Sequence, residues 1–195
     1  EKVTKIGEGA FSGCSGLTSF TIPSGVTQIG PYAFSGCTGL TDIVIPKRVK
    51  KVFECTFEGC TKLKDVSIPE SVKKIGSCAF FGCSALTSIK LPENVTEIGE
   101  DTFSDCTSLA DIVIPKNVEK IESRLFEGCV SLKEIVIPEQ VEEIESDAFK
   151  GCVNLKKIVI PESVSEIGSG AFDKTPWLDS QPNGMVYINK IAYLF

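Results

Sequence analysis

The sequence predicts a β-rich, right-handed solenoid of parallel strands, and three regularities support this prediction. Proline stands at 23, 46, 69, 92, 115, 138 and 161, and cysteine stands at 14, 37, 60, 83, 106, 129 and 152. Phenylalanine and leucine follow the same 23-residue step, from 11 to 172 and from 17 to 178. A constant period of this length is typical of repeat proteins, in which one supersecondary unit stacks on the next. We therefore expect a solenoid over residues 1–178, with seven full repeats and a modified last unit.

Each repeat begins with a short strand and continues through two weaker elements. Ile43 and Ile45 alternate with Val44, which predicts two inward side chains and one outward side chain, and Pro46 ends the strand. A second extended segment is expected over residues 72–75 and a single helical or 3₁₀ turn over 79–83. Strands one repeat apart must be parallel, with right-handed crossovers. We expect the strands on the concave face and the turns and extended segments on the convex side.

One column at the end of the second segment is glycine in most repeats. Phe53, Glu122 and Glu145 replace it in three of them. A turn that accepts these residues does not require positive φ in every repeat. The sequence therefore predicts that glycine is a preference there and not a steric need.

The two ends of the chain depart from the repeat. Residues 184–195 contain two β-rich runs around Asn189 and Lys190, which predicts a two-residue hairpin that covers the last repeat. We expect residues 179–195 to form a C-terminal β-hairpin cap or the start of a following segment. The sequence starts in mid-repeat, so we also expect it to be a fragment of a longer array.

Composition argues against two classes of partner. Residues 1–90 carry 11 basic and 7 acidic side chains, whereas residues 91–195 carry 9 and 19. The basic side chains near Lys50 and Lys73 lack interleaved aromatics and any nucleic-acid motif, so we predict a solvated face and no nucleic acid. No apolar run approaches the ~20 residues needed to cross a bilayer, so we expect no membrane insertion within this segment.

The sequence offers no constellation for catalysis. With no histidine, it has no Ser-His or Cys-His pair and no histidine metal ligand. Carboxylate pairs such as Asp101 and Asp105 recur at surface positions of the repeat, where solvation is the default. No glycine-rich phosphate loop follows a strand and opens a helix. We predict that the chain is not an enzyme and holds no cofactor and no metal.

Two groups of cysteines are expected to differ. The seven-cysteine ladder lies beside the Phe and Leu ladders, which predicts reduced, buried thiols that pack like small hydrophobic residues. Cys55 and Cys78 occupy another column, whose remaining members suggest a surface. Stacking would bring their Cα atoms within disulfide range, although parallel Cβ directions disfavour closure. A zinc site formed with Cys60 and Cys83 is a weaker alternative, because those two should face inward.

The outward strand positions are the candidates for binding a partner. β-Branched residues favour strands in any case, but three exposed valines in a row beside acidic residues form an apolar stripe that can mark a contact site. The candidate partner-binding residues are Asp42, Val44, Asp65, Asp111, Val113, Glu134, Val136, Lys157 and Val159.

The repeat also resembles a known family. Residues 68–89 read Ile-Pro-Glu-Ser-Val-Lys-Lys-Ile-Gly-Ser-Cys-Ala-Phe-Phe-Gly-Cys-Ser-Ala-Leu-Thr-Ser-Ile, which is similar to the 23-residue leucine-rich repeat of BspA-like bacterial surface proteins. The resemblance implies a secreted or cell-surface protein with an adhesion role toward a protein or glycan on host or bacterial surfaces. We expect a non-enzymatic extracellular interaction module that binds through its concave face. The alternative is a rigid structural spacer in a longer surface protein.

Overall fold

The structure is a computed structural model that describes residues 3–181, 185–188 and 191–194. It is a parallel-strand solenoid of about 7 turns with almost no helix, as the repeat predicts. Most turns contribute one strand to the concave face and one to the opposite side, with six strands on the first and eight on the second among the described residues. The pairing register steps by 23 residues, so that Ile43 lies beside Val66 and Ile135 beside Ile158.

The concave strands are two or three residues long and expose every second side chain. Ile43 and Ile45 are buried, whereas Val44 between them is exposed, which confirms the predicted alternation. The strands pair as β3 with β5, β7 with β9, and β11 with β13. They are β3 (Asp42–Val44), β5 (Asp65–Ser67), β7 (Ser88–Ile89), β9 (Asp111–Ile112), β11 (Glu134–Val136) and β13 (Lys157–Val159).

The outer strands are two residues each and form three separate ladders. They are β1 (Lys5–Ile6), β2 (Gln28–Ile29), β4 (Lys51–Val52), β6 (Lys74–Ile75), β8 (Glu97–Ile98), β10 (Lys120–Ile121), β12 (Glu143–Ile144) and β14 (Glu166–Ile167). Pairing joins β1 to β2, β4 to β6 to β8, and β10 to β12 to β14. The ladder is interrupted between β2 and β4 and between β8 and β10.

The glycine column explains these two interruptions. A Cβ built on Gly76 would lie 2.6 Å from the backbone nitrogen of Glu54 in the preceding repeat, and one on Gly99 would lie 2.5 Å from that of Ser77. The ladder breaks at two repeats. In each of them this column carries a side chain, Phe53 or Glu122, while the repeat before it carries glycine at the same position. Gly76 and Gly99 do not have positive φ, as expected. Glycine is not required in every repeat, however, because Glu145 takes this position in the intact β10–β12 ladder, where its amide donates to Ile121 at 2.8 Å. The column is thus a preference, as predicted, that becomes a close steric contact at Gly76 and Gly99.

The predicted turn over residues 79–83 is present, but it does not continue as a helix. The amides of Phe81 and Cys83 donate to carbonyls three residues earlier, at 3.1 Å each. The amides of Cys78, Phe80 and Gly82 alternate with them and donate to the next repeat at 2.9–3.0 Å. Positive φ at Cys78 and Gly82 turns the chain at both ends of this segment. As a result, every second backbone amide of the segment donates to the next repeat and stabilises the stack.

A stack of phenylalanine rings fills the interior. Seven rings from Phe34 to Phe172 are fully buried. Adjacent centroids lie 5.4–5.8 Å apart, with interplanar angles of at most 13°. Trp177 closes the C-terminal end of the stack at 4.8 Å from Phe172, tilted by 59°.

The cysteine ladder lies beside the rings and also carries hydrogen bonds. Six thiols donate to phenylalanine carbonyls 26 residues earlier at 3.0–3.2 Å, as Cys83 does to Phe57. These six cysteines are fully buried, as predicted. Cys14 is the exception and is exposed, because a repeat packs against only one side of the first turn.

The C-terminal segment packs against the last repeat. Helix α1 (Pro176–Asp179) is capped by Thr175, whose hydroxyl accepts from the Leu178 amide at 3.2 Å. Strands β15 (Met185–Ile188) and β16 (Ile191–Leu194) pair antiparallel, and β16 contacts β14. The predicted turn residues Asn189 and Lys190 lie outside the described residues.

Candidate functional site

All nine predicted partner-binding residues lie on the concave face and are exposed. They do not form one continuous site. Val44 is separated from Val113 by Ser67 and Lys90, the outward residues of the two intervening repeats. The face therefore has an N-terminal group around Val44 and a C-terminal group around Val113, Val136 and Val159, here called the valine stripe.

The valine stripe is the most exposed apolar feature of this face. Val113, Val136 and Val159 expose 76, 63 and 44% of their surface. Val136 lies directly opposite Val159 in the β11–β13 pair, whereas β9 and β11 are not joined by a ladder. A shallow furrow opens at this gap, between Val113 and Val136. The stripe thus presents methyl groups on both sides of an open furrow, a shape that can accept an apolar side chain of a partner.

Charged side chains of both signs flank the stripe. Glu134 and Lys157 are register partners, and their charged atoms lie 3.5 Å apart with about 70% of each side chain exposed. An ion pair this exposed adds little to stability, typically about 0–1 kcal/mol. Both groups therefore remain available to a partner at small cost.

The sequence interpretation missed several residues of this surface. Lys133, Asn154 and Lys156 line a shallow depression together with Asp111 and Glu134. Lys133 and Lys156 stand just before their strands, in a column that carries threonine in most earlier repeats. The change from threonine to lysine in that column was a signal available in the sequence.

The N-terminal group is built differently. Asp42 and Asp65 lie directly opposite each other in the β3–β5 pair. Like charges at such positions are mutually unfavourable, so this pair is not explained by strand stability. Val44 exposes 64% of its surface and borders a depression shared with Phe20, Thr21 and Lys47.

The two cysteines outside the interior ladder differ from expectation in one respect. Cys55 is buried, at 9% exposure, although the polar members of its column predicted a surface position. Its neighbours in the same column are Tyr32 and Cys78, and both lie near enough to shift the pKa of the Cys55 thiol. Both cysteines are thiols in the structure, and the bridge between them stays a prediction. Cys60 and Cys83 face the interior, as expected.

Two further observations concern the described residues only. No group of three or more His, Cys, Asp or Glu side chains there is arranged to hold a metal ion. No helix there has the length and apolarity required to cross a membrane.

Parallel strands on one face, interior ladders of Leu, Ile and Phe, and outward residues that vary between repeats define a bacterial-type leucine-rich-repeat solenoid. The family model for the BspA type leucine-rich repeat region matches residues 1–84 and 56–179, with six copies. The chain belongs to this family.

Solved structures of bacterial leucine-rich-repeat proteins superpose on the chain. One from Bacteroides ovatus is 40% identical with a TM-score of 0.86, covering 89% of this chain, which spans 45% of that protein. One from T. pallidum is 32% identical with a TM-score of 0.78, covering 82% and 77% of the two chains. A leucine-rich cell surface protein from Faecalibacterium prausnitzii is 29% identical with a TM-score of 0.53, covering 90% and 68%. Comparison with curated proteins finds no significant match.

Proposed function

We propose that this chain is a non-enzymatic extracellular interaction module that binds a macromolecular partner through the valine stripe of its concave face. The observation that carries the proposal is the exposure of three valines at equivalent positions of three consecutive repeats. Strand propensity explains a β-branched residue at each position. It does not explain why three valines follow one another in a column that carries Ser67 and Lys90 in the two repeats before them.

The charge around the stripe indicates the chemistry of the partner. The side chains beside the stripe carry both signs, with Asp111 and Glu134 next to Lys133, Lys156 and Lys157. A partner with an apolar ridge flanked by side chains of both signs would complement the furrow and these charges. We infer a protein partner of that kind.

An extracellular setting is supported by the nature of a similar protein. The Faecalibacterium prausnitzii structure is that of a cell surface protein. Solenoids present extended surfaces to partners, and a strand face of several repeats offers a long, nearly flat area for contact. A rigid spacer in a longer surface protein is the competing function.

A binding experiment tests the proposal directly. The chain is measured against immobilised collagen and laminin and against whole bacterial cells. Val113→Thr, Val136→Thr and Val159→Thr are combined in one variant, which keeps the β-branched shape and removes a methyl group at each position. We expect saturable binding by the native chain and a loss of about tenfold or more in the variant, since central contact residues each contribute more than ~1 kcal/mol.

A matched control changes exposed valines outside the concave face. Val3 and Val153 expose 48 and 50% of their surface, and their combined replacement by threonine should leave binding unchanged. Equal binding by the stripe variant and the native chain would contradict the site. Absence of binding to every probe would overturn the adhesion role and favour the spacer. Loss of binding after periodate treatment of the probe would assign recognition to a glycan and contradict a protein partner.

A further inference from the structure

One column of the solenoid holds the left-handed backbone conformation in all eight repeats. Its members have φ between 52° and 68°, and they are Gly9, Tyr32, Cys55, Cys78, Asp101, Arg124, Asp147 and Gly170. A non-glycine residue at such φ costs about 1–2 kcal/mol relative to the right-handed form. Cysteine has no intrinsic preference for this conformation, so two consecutive cysteines here are not explained by backbone geometry.

Cys55 and Cys78 are neighbours along this column, one repeat apart. The amide of Cys55 donates to Ser77 at 2.9 Å, immediately before Cys78, which fixes the two turns against each other. The rings of Phe57 and Phe80, two residues further along each turn, have centroids 5.5 Å apart. Paired parallel backbones lie about 4.8 Å apart, a spacing within the ~4.4–6.8 Å range of Cα distances found across disulfides.

Side-chain contacts run along the column through the pair. The Tyr32 hydroxyl and the Cys78 thiol lie near enough to the Cys55 thiol for each to shift its pKa. Cys78 is partly exposed, so a small reagent can reach the pair from solvent. The two sulfur atoms are therefore adjacent, and one of them is accessible.

The environment makes these thiols slow but not inert. Burial raises the pKa of the Cys78 thiol to about 12, and the charges of Cys55 and Asp101 act in the same direction. Burial also raises the pKa of the Cys55 thiol, and hydrogen bonds from Tyr32 and Cys78 oppose part of that rise. Two other carboxylates lie near this part of the column. The charges of Glu58 and Glu54 raise the pKa of Tyr32. The thiolate is the reactive form, and the raised pKa values keep both cysteines mainly as thiols. We therefore expect oxidation to be slow and to require an excess of a small disulfide.

The interior cysteines of the same two repeats provide a built-in contrast. Cys60 and Cys83 are fully buried and donate their thiol protons to the carbonyls of Phe34 and Phe57 at 3.2 Å. Neither is accessible to a reagent while the solenoid is folded. Reaction in the native state is thus confined to Cys55 and Cys78 within this pair of repeats.

We propose that Cys55 and Cys78 form a reversible disulfide that staples the third and fourth repeats together. One cysteine thiolate attacks a sulfur of a small-molecule disulfide and displaces a small thiolate, which leaves a mixed disulfide on the protein. The second cysteine loses its proton, attacks the protein sulfur of that mixed disulfide and releases the second small thiol. The protein loses two hydrogens and two electrons, and the small disulfide is reduced to two thiols.

The test uses oxidised glutathione in mildly alkaline buffer on the folded, fully reduced chain with Cys14→Ser, because Cys14 is exposed and would form a glutathione adduct of its own. Intact mass after acid quenching and alkylation should show that two cysteines no longer react and that two hydrogens are lost. Chymotrypsin can cut after Phe57 and Phe80, and trypsin after Lys64 and Lys74. Together they place Cys55, Cys60, Cys78 and Cys83 on four separate peptides. We expect a cross-linked peptide that contains Cys55 and Cys78, and a rise in Tm of about 5–10 °C for closing a loop of this length.

The variants Cys55→Ser and Cys78→Ser serve as controls. In each variant, the remaining cysteine of the pair should stay a free thiol or carry one glutathione. The same treatment should not raise the Tm of either variant. Full alkylation of the eight cysteines that remain beside Cys14→Ser would overturn the proposal, as would a link that contains Cys60 or Cys83. A bridge between Cys55 and Cys78 that lowers Tm would overturn the stapling role.

Discussion

Replacement of Phe103 by alanine is expected to lower the free energy of unfolding by about 3–5 kcal/mol. The Phe103 ring is fully buried, with its centroid 5.7 Å from those of Phe80 and Phe126. Its removal leaves a cavity and breaks two stacked contacts, each worth ~0.5–1.5 kcal/mol beyond the burial of area. Urea denaturation followed by circular dichroism measures the change.

The position of Phe103 adds a second expected result. Repeats in a solenoid are stabilised by their immediate neighbours, so a weak contact in the middle can uncouple the two halves. We expect a broadened or two-step transition in Phe103→Ala. Val113→Ala is the control, because Val113 is 76% exposed and its truncation should change stability by no more than about 0.5 kcal/mol. If Phe103→Ala and Val113→Ala lost equal stability, the stacked phenylalanine rings would not be the main contact that holds the repeats together.

The interior was predictable from the sequence because each column carries one residue type. Phe, Cys and Leu recur at fixed positions, and a side chain that must stack on its own copy tolerates little change. The stacked rings from Phe34 to Phe172 and the six buried thiols therefore matched expectation. Cys14 did not match the expectation. Burial of a residue in this ladder requires an adjacent repeat on each side and does not follow from its place in the period alone.

Backbone conformation was less accessible to the same reasoning. The column of Tyr32, Cys55, Cys78, Asp101 and Arg124 mixes residue types, which suggested an unconstrained surface. Its members in fact share the left-handed conformation, since the turn at this point is fixed by hydrogen bonds between repeats and not by the side chain. The enclosure of Cys55 follows from its neighbours in the column, which the local sequence does not encode.

The concave candidates illustrate the same division. Strand periodicity predicted which side chains point outward, and Val113, Val136 and Val159 do so. It did not predict that β9 and β11 lack a ladder, nor that a furrow lies between Val113 and Val136. The Lys133 and Lys156 side chains enter the surface from positions outside the strands, so a pattern limited to strand residues missed them.

The glycine column leads to a second prediction with a large effect. Replacement of Gly99 by alanine should destabilise the protein by about 1–3 kcal/mol, the usual cost of forcing extra volume into a packed site. The new Cβ would meet the Ser77 nitrogen and the Gly76 carbonyl carbon at 2.5 and 2.9 Å, and this backbone cannot move aside without disturbing β6. We expect β8 to separate from β6, as β10 separates from β8 where Glu122 follows Gly99.

Hydrogen exchange at the Gly99 amide reports this separation, because the amide donates to Ile75 at 2.8 Å in the native ladder. Its protection should fall in Gly99→Ala, while amides of the β12–β14 pair keep theirs. Gly16→Ala is the matched control: nothing lies within 4 Å of a Cβ at Gly16, and its φ is not positive. That variant should be neutral or more stable by up to ~1 kcal/mol, since alanine restricts the unfolded chain. If Gly99→Ala behaved like Gly16→Ala, the close contact between Gly99 and the Gly76–Ser77 backbone would not explain the broken ladder between β8 and β10.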